Sequence, residues 1–199
     1  MLHTLLWSVV CGVIYTVVMT GLLQAVFPHQ ANGSLVMRDG KLIGSELLAQ
    51  QFQGSNYFWP RPSACTYGTS ASGIVASSGS NLGPTSGALQ TNVINNAAAF
   101  ISGNNLPTNT VVPVDMVFAS ASGLDPHISP DAARLQISRV AASRAMPEDK
   151  VKALVEQFVE PPQWGFLGQA RVNVLMLNVA LDQAQAEMKK TEIAAPPKA

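Results

Sequence analysis

Leu5–Phe27 reads LLWSVVCGVIYTVVMTGLLQAVF, and none of its residues is charged. As a helix it spans roughly 35 Å at ~1.5 Å per residue, against a bilayer hydrocarbon core of ~30 Å. Its polar side chains are Ser8, Thr16, Thr20 and Gln24, and the hydroxyls can bond back to the helix backbone. Trp7 near one end and Phe27-Pro28-His29 at the other suit the two membrane–water interfaces. A cleaved signal peptide carries an apolar region of ~7–15 residues behind a positive segment and ahead of an A-x-A-like site. Here the apolar run is longer, no Lys or Arg precedes it and no such site follows. Val9-Val10-Cys11 also lacks the small residues of a lipoprotein cleavage site. The stretch reads as a retained, single membrane-spanning helix.

Beyond the helix, charge is scarce and uneven. The 199 residues are 47% hydrophobic and 12% charged, with 12 basic and 12 acidic side chains. No charge occurs before Arg38 and none lies between Arg61 and Asp115. Zero net charge excludes the clustered basic surface that nucleic-acid phosphates require, and equally a polybasic membrane-surface binder. Two cysteines make no disulfide framework. Cys11 within the membrane and Cys65 far outside it are expected to be free thiols. Arg38 and Lys41 would be drawn to the cytoplasmic side by the positive-inside bias, whereas the Ser/Thr/Asn/Gly-rich stretch that follows has an extracytoplasmic composition.

The remaining chain is long enough for one domain with its own core. Ser34–Ile43 predicts a hairpin turning at Arg38-Asp39-Gly40, and Ser45–Phe52 a short helix. Ser63–Gly87 reads as a long loop or linker, punctuated by Tyr67, Ile74, Val75 and Leu82. Leu89–Ile101 predicts a helix ending near Gly103. Val111–Ala119, VVPVDMVFA, is the best strand, with Pro113 at an edge or strand start. Ser129 caps a helix with Pro130 at its first position and Asp131 in its first turn, running to about Arg144. Pro147-Glu148-Asp149 opens another through Val159, and Pro161-Pro162 stops it. Val172–Leu177 is either a strand or the start of a last helix; Ala180–Lys190 is a helical tail. The whole is an α+β domain on one membrane anchor.

Several side-chain patterns invite chemistry. Asp125, His127 and Ser129 alternate, so an extended chain turns them to one side. A Ser/His/Asp hydrolase needs the three groups converging with an oxyanion hole, and no G-x-S-x-G elbow occurs. The plainer expectation is that Ser129 caps the helix while Asp125 and His127 set the loop before it. His3, His29 and His127 share no metal-ligand spacing. Gly40-Lys41 is followed by Leu42, so there is no phosphate-binding P-loop, although Ser77–Gly83 could form an anion nest or a tight structural loop. There is no Asp-Lys-Thr-Gly-Thr phosphorylation motif and no TVGYG-type filter. Arg134, Arg139 and Arg144 recur every five residues, which spreads them around one helix and predicts a solvated surface with one or two ion pairs.

Several blocks carry a resemblance. Gly44-Ser45-Glu46-Leu47-Leu48-Ala49-Gln50-Gln51-Phe52, Tyr57-Phe58-Trp59-Pro60-Arg61-Pro62-Ser63-Ala64 and Ser78-Gly79-Ser80-Asn81-Leu82-Gly83-Pro84-Thr85 come first. Val112-Pro113-Val114-Asp115, Ser122–Pro130 and Arg139-Val140-Ala141 follow. Gly165-Phe166-Leu167-Gly168, Arg171-Val172-Asn173-Val174-Leu175, Leu177-Asn178 and Ala180-Leu181-Asp182 complete them. In this order, to about Asp182, they resemble KdpC, the C-subunit family of the Kdp potassium-transporting ATPase. Ala49 stands where that family usually has Gly, Ser78 departs from its G-G-S-N-L-G-P-T block, and Gln169-Ala170 replaces its usual Glu-Pro.

The resemblance implies a non-catalytic accessory subunit of a high-affinity, ATP-driven potassium uptake complex in the bacterial inner membrane. It implies a short cytoplasmic N-terminus (1–4), a transmembrane helix (5–27) and a periplasmic or extracellular domain (28–199). The implied partners are a channel-like potassium-binding subunit (KdpA), a P-type ATPase subunit (KdpB), a small single-helix subunit (KdpF) and membrane lipid. ATP and K+ are used by the complex, and no cofactor is assigned to this chain. The family has been described as helping assembly, as supporting ATP binding and as a lid near the ion entrance. Candidate framework or partner-contact residues are Arg61, Pro62, Ser63, Ser80, Asn81, Gly83, Asp115, Asp125, His127, Ser129, Arg139, Arg171, Asn173 and Asn178. The alternatives are a membrane-anchored hydrolase built on Ser129, His127 and Asp125, or a solute-sensing module.

Overall fold

The computed structural model describes residues 1–65 and 76–194. Part of the expected Ser63–Gly87 loop, with Tyr67, Ile74 and Val75, lies outside the described residues. The chain divides into two units, Met1–Leu47 and Leu48–Ala199.

The first unit is a helix followed by a hairpin. Helix α1, Leu2–Val26, has a mean hydropathy of 2.0, and none of that stretch is buried. Among the described residues it is the one helix long and apolar enough to cross a membrane. Its ladder slips into π geometry over Val10–Ile14, where Thr16 Oγ1 donates to the Cys11 carbonyl at 3.4 Å. Phe27 leaves the helical region at φ −130°, and Pro28 opens the single turn α2, Pro28–Ala31. β1 (Leu35–Arg38) and β2 (Lys41–Ser45) then pair antiparallel. Asp39 and Gly40 both take positive φ, 50° and 74°, the turn whose twist matches a hairpin.

The helix expected over Ser45–Phe52 does not form. Ser45 instead ends β2 opposite Leu35. Its hydroxyl donates to the Gly33 carbonyl at 2.7 Å and accepts from the Leu47 amide at 3.1 Å, so it fixes a turn rather than capping a helix.

The second unit is built around α3 (Gly87–Gly103), α4 (Val114–Val117), β3 (His127–Ile128), α5 (Pro130–Arg144), α6 (Glu148–Gln157), β4 (Val159–Glu160), β5 (Arg171–Asn173) and α7 (Val174–Ala194). β5 lies between β3 and β4, antiparallel to both, with Ile128 and Val159 each opposite Val172. Helices α5, α6 and α7 enclose a core that includes Phe58, Ile128, Val140, Val151, Val155, Val172, Leu177 and Leu181, all 2% exposed or less. The helix starts follow capping chemistry. Ser86 Oγ accepts from the Leu89 amide, Ser129 Oγ accepts from the Ala132 amide, and Glu148 and Asp149 face the positive end of α6. Val172–Leu177 resolves as both expectations at once, a strand to Asn173 and helix from Val174.

Val111–Ala119 is not a strand. Pro113 stands before the single turn α4, Asp115 lies in that turn, and Met116 and Val117 are buried. The Asp115 carboxylate is drawn to Ser129, which holds the segment in a turn and leaves it outside both sheets. The helix expected through Val159 ends at Gln157, because Val159 is taken into β4.

Candidate functional site

Three groups of side chains gather the residues singled out in the sequence. The first lines an open cleft of about 420 Å³ that includes Arg61, Asp115, Asp125, His127, Ser129 and Arg171. Arg61 Nη1 donates to Asp125 Oδ2 at 2.6 Å. Asp125 Oδ1 accepts the His127 amide at 3.0 Å, and His127 Nδ1 lies 3.6 Å from the same oxygen. Burial alone would raise the Asp125 pKa. The hydrogen bonds from His127 and the bond and charge of Arg61 outweigh it and hold the carboxyl at about 2. On the other wall, Asp115 accepts both the Ser129 amide (2.6 Å) and the Ser129 hydroxyl (3.0 Å). Arg171 pairs with Glu160 at 2.9 Å across β5 and β4. Gln169 and Ala170 also line this cleft.

Asp125, His127 and Ser129 line one cleft, the shared side that their alternation suggests, but they form no relay. The Ser129 hydroxyl donates to Asp115 and accepts from Ala132, which commits it to capping α5 rather than to His127. Among the described residues, no three His, Cys, Asp or Glu side chains are grouped to hold a metal ion.

The second group faces a cleft of about 490 Å³ that includes Pro62, Ser63, Ser80 and Asn81. Ser63 Oγ donates to the Gly123 carbonyl at 2.7 Å and accepts the Cys65 amide at 3.0 Å. The Pro62 carbonyl accepts the Ser120 amide. Gly123 has φ +70°, and a Cβ there would meet the Ser78 carbonyl at 2.6 Å as well as Cys65 Sγ, so the loop closes only on glycine. Asn81 sits at φ 51°. Gly83 lies just beyond, where its carbonyl accepts the Ser86 amide. Cys11 and Cys65 are both free thiols.

The third group is buried and acts on the backbone. The Asn178 carboxamide accepts the Phe58 amide at 2.8 Å and donates to the Phe58 carbonyl at 3.0 Å. Gln136 treats Trp59 likewise, at 2.7 and 3.4 Å. Arg139 Nη1 donates to the Ser55 and Tyr57 carbonyls at 2.6 and 2.9 Å, and its guanidinium stacks 4.0 Å from the Trp59 ring centroid. Burial lowers the Arg139 pKa to about 10. Arg144 donates to the Asn56 carbonyl, pairs with Asp182 at 2.8 Å and lies 4.7 Å from the Tyr57 ring centroid. Asn173 Oδ1 accepts the Met176 amide and caps α7. The segment from Ser55 to Trp59, which runs into Arg61, is therefore fixed by side chains of α5 and α7 bonded to its backbone.

This corrects the reading of the arginines as a solvated set. Arg134 fits it, bound to Glu156 and Asp131, but Arg139 and Arg144 are 5% and 7% exposed. Gln136 and Asn104, which both accept from Arg139, belong to the same clamp, and no sequence pattern marks them. A helical projection of α5 holds the signal, because Arg139 and Arg144 fall on the arc of Ala132, Ala133, Gln136 and Val140, with Arg134 opposite.

The fold and site define a chain with a long apolar N-terminal helix and, later in the sequence, a domain carrying open clefts, with the Ser129 hydroxyl engaged in structure. Residues 1–183 match the family model described as KdpC, K+-transporting ATPase, c chain. A potassium-transporting ATPase KdpC subunit of Geobacter metallireducens is 50% identical over 183 residues, covering 90% of this chain and 93% of that protein. The like-named protein of Shewanella putrefaciens is 49% identical over 174 residues (87% and 84%), and that of Methylococcus capsulatus 50% over 183 (92% and 94%). The chain belongs to the KdpC family.

Proposed function

We propose that the chain is the non-catalytic accessory subunit of an ATP-driven potassium uptake complex. The observation that carries this reading is the family match over residues 1–183, with relatives at about half identity along nearly their whole length. In this reading residues 1–4 are cytoplasmic, 5–27 cross the bacterial inner membrane and 28–199 form a periplasmic or extracellular domain. The helix packs beside the channel-like subunit (KdpA), the P-type ATPase subunit (KdpB) and the small single-helix subunit (KdpF). A domain outside the cell does not reach cytoplasmic ATP, so its work is assembly and the ion entrance rather than nucleotide binding.

The Arg61–Asp125–His127 cleft is the docking surface in this account. It is open, polar and preorganised, and the clamp on residues 55–59 fixes its arginine-bearing edge. Asp125→Ala with His127→Ala should lower recovery of the complex and slow growth at limiting potassium, while the chain still reaches the membrane. Unchanged assembly and growth would show that this cleft is framework only.

A further inference from the structure

Pro161–Ala170, PPQWGFLGQA, carries no charged residue, yet among the described residues of the second unit it displays the most exposed aromatic pair. Trp164 is 85% and Phe166 74% exposed, with Leu167 at 44% beside them. The segment is not a slack loop. Gln163 and Leu167 exchange two backbone hydrogen bonds, at 3.0 and 2.9 Å, and the Gly165 amide donates to the Pro162 carbonyl at 2.9 Å. Trp164 and Gly165 take φ of 53° and 84°, the paired positive values of a tight hairpin turn. A bulky residue at positive φ is an outlier, and here it places an 85%-exposed indole in a hydrogen-bonded turn. The stem is closed by the neutral Arg171–Glu160 pair.

We propose that the Trp164–Leu167 tip inserts into the interface of a zwitterionic phospholipid bilayer. This rests on the reading of α1 as a membrane anchor. Trp and Phe are the side chains that settle at the boundary between headgroups and acyl chains. With no charge from Pro161 to Ala170, insertion strips water from no ion and draws no anionic headgroup. The two aromatic rings expose on the order of 300 Å², well under the ~800 Å² per partner of a stable protein interface. That area suffices for a weak contact made on a chain already tethered to the same bilayer, where the encounter is intramolecular.

The test uses the full chain carrying Trp7→Phe, reconstituted in phosphatidylcholine vesicles with and without bromine on the acyl chains. Subtracting the emission of the chain that also carries Trp164→Phe isolates the Trp164 signal from that of Trp59. Brominated lipid should quench that signal at least about twofold, Phe166→Asp should relieve the quenching, and far-ultraviolet circular dichroism should be unchanged. A chain that withstands an alkaline wash while its Trp164 stays unquenched overturns the proposal and leaves the anchor intact. A chain that washes off the vesicles overturns both. An indole shielded only after the other subunits of the ATPase are added also overturns the proposal, because the tip then docks on protein.

Discussion

Arg61 and Asp125, 64 positions apart in the chain, meet at 2.6 Å through Nη1 and Oδ2. The pair joins the segment held by α5 and α7 to the loop that precedes α5. It is less than a third exposed on either side, so solvent screens it only partly. The depressed Asp125 pKa makes this contact a source of stability at neutral pH. A carboxyl at about 2 in the folded state, against its ordinary value of 3.8, stabilises fully above the unfolded value, and the contribution falls away as pH drops toward the folded one. Asp125→Asn should cost on the order of 1–2 kcal/mol at pH 7. Denaturant unfolding of wild type and variant should show the gap narrowing below pH ~4 and closing near pH ~2.

Asn178→Ala removes both partners of the Phe58 backbone. Phe58 is 0% exposed, so no water replaces them. The loss should be about 3 kcal/mol, lowering the melting temperature by about 10 °C in a chain of this size. Circular dichroism melts in detergent measure it.

Ser129→Ala should destabilise by about 1 kcal/mol through the lost cap of α5. The wild-type chain should not be labelled by a serine-directed fluorophosphonate, because the Ser129 hydroxyl donates to Asp115 rather than to His127. Labelling that disappears in Ser129→Ala would revive the hydrolase reading.

Ser8, Gly12, Thr16, Thr20 and Gln24 recur every four residues along α1. Such a small and polar stripe lets membrane helices approach closely, and a Cβ at Gly12 would meet nothing within 4 Å in the chain alone. Gly12→Leu should therefore reduce recovery of the complex severalfold, without moving the melting temperature of the domain.

Much of this was legible because it is local. The uncharged run before Arg38 announces α1, Asp39-Gly40 the hairpin turn, and Ser129-Pro130-Asp131 the start of α5. What was not legible is decided at a distance. Val111–Ala119 has strand composition, but Asp115 is claimed by Ser129. Ser45 looks like a cap, yet it ends β2 opposite Leu35. Arg139 and Arg144 look solvated until the carbonyls of Ser55, Asn56 and Tyr57 arrive from more than eighty residues away. The cleft is half legible: Asp125, His127 and Ser129 alternate within one stretch, but that Arg61 and Asp115 approach them from separate segments is a property of the fold.

The most direct test of the central claim is purification of the tagged full chain in mild detergent from potassium-starved cells, with mass spectrometry of what accompanies it. The account predicts stoichiometric recovery of an ATPase chain bearing an Asp-Lys-Thr-Gly-Thr motif together with a channel-like chain. A chain that emerges alone and monodisperse would contradict it.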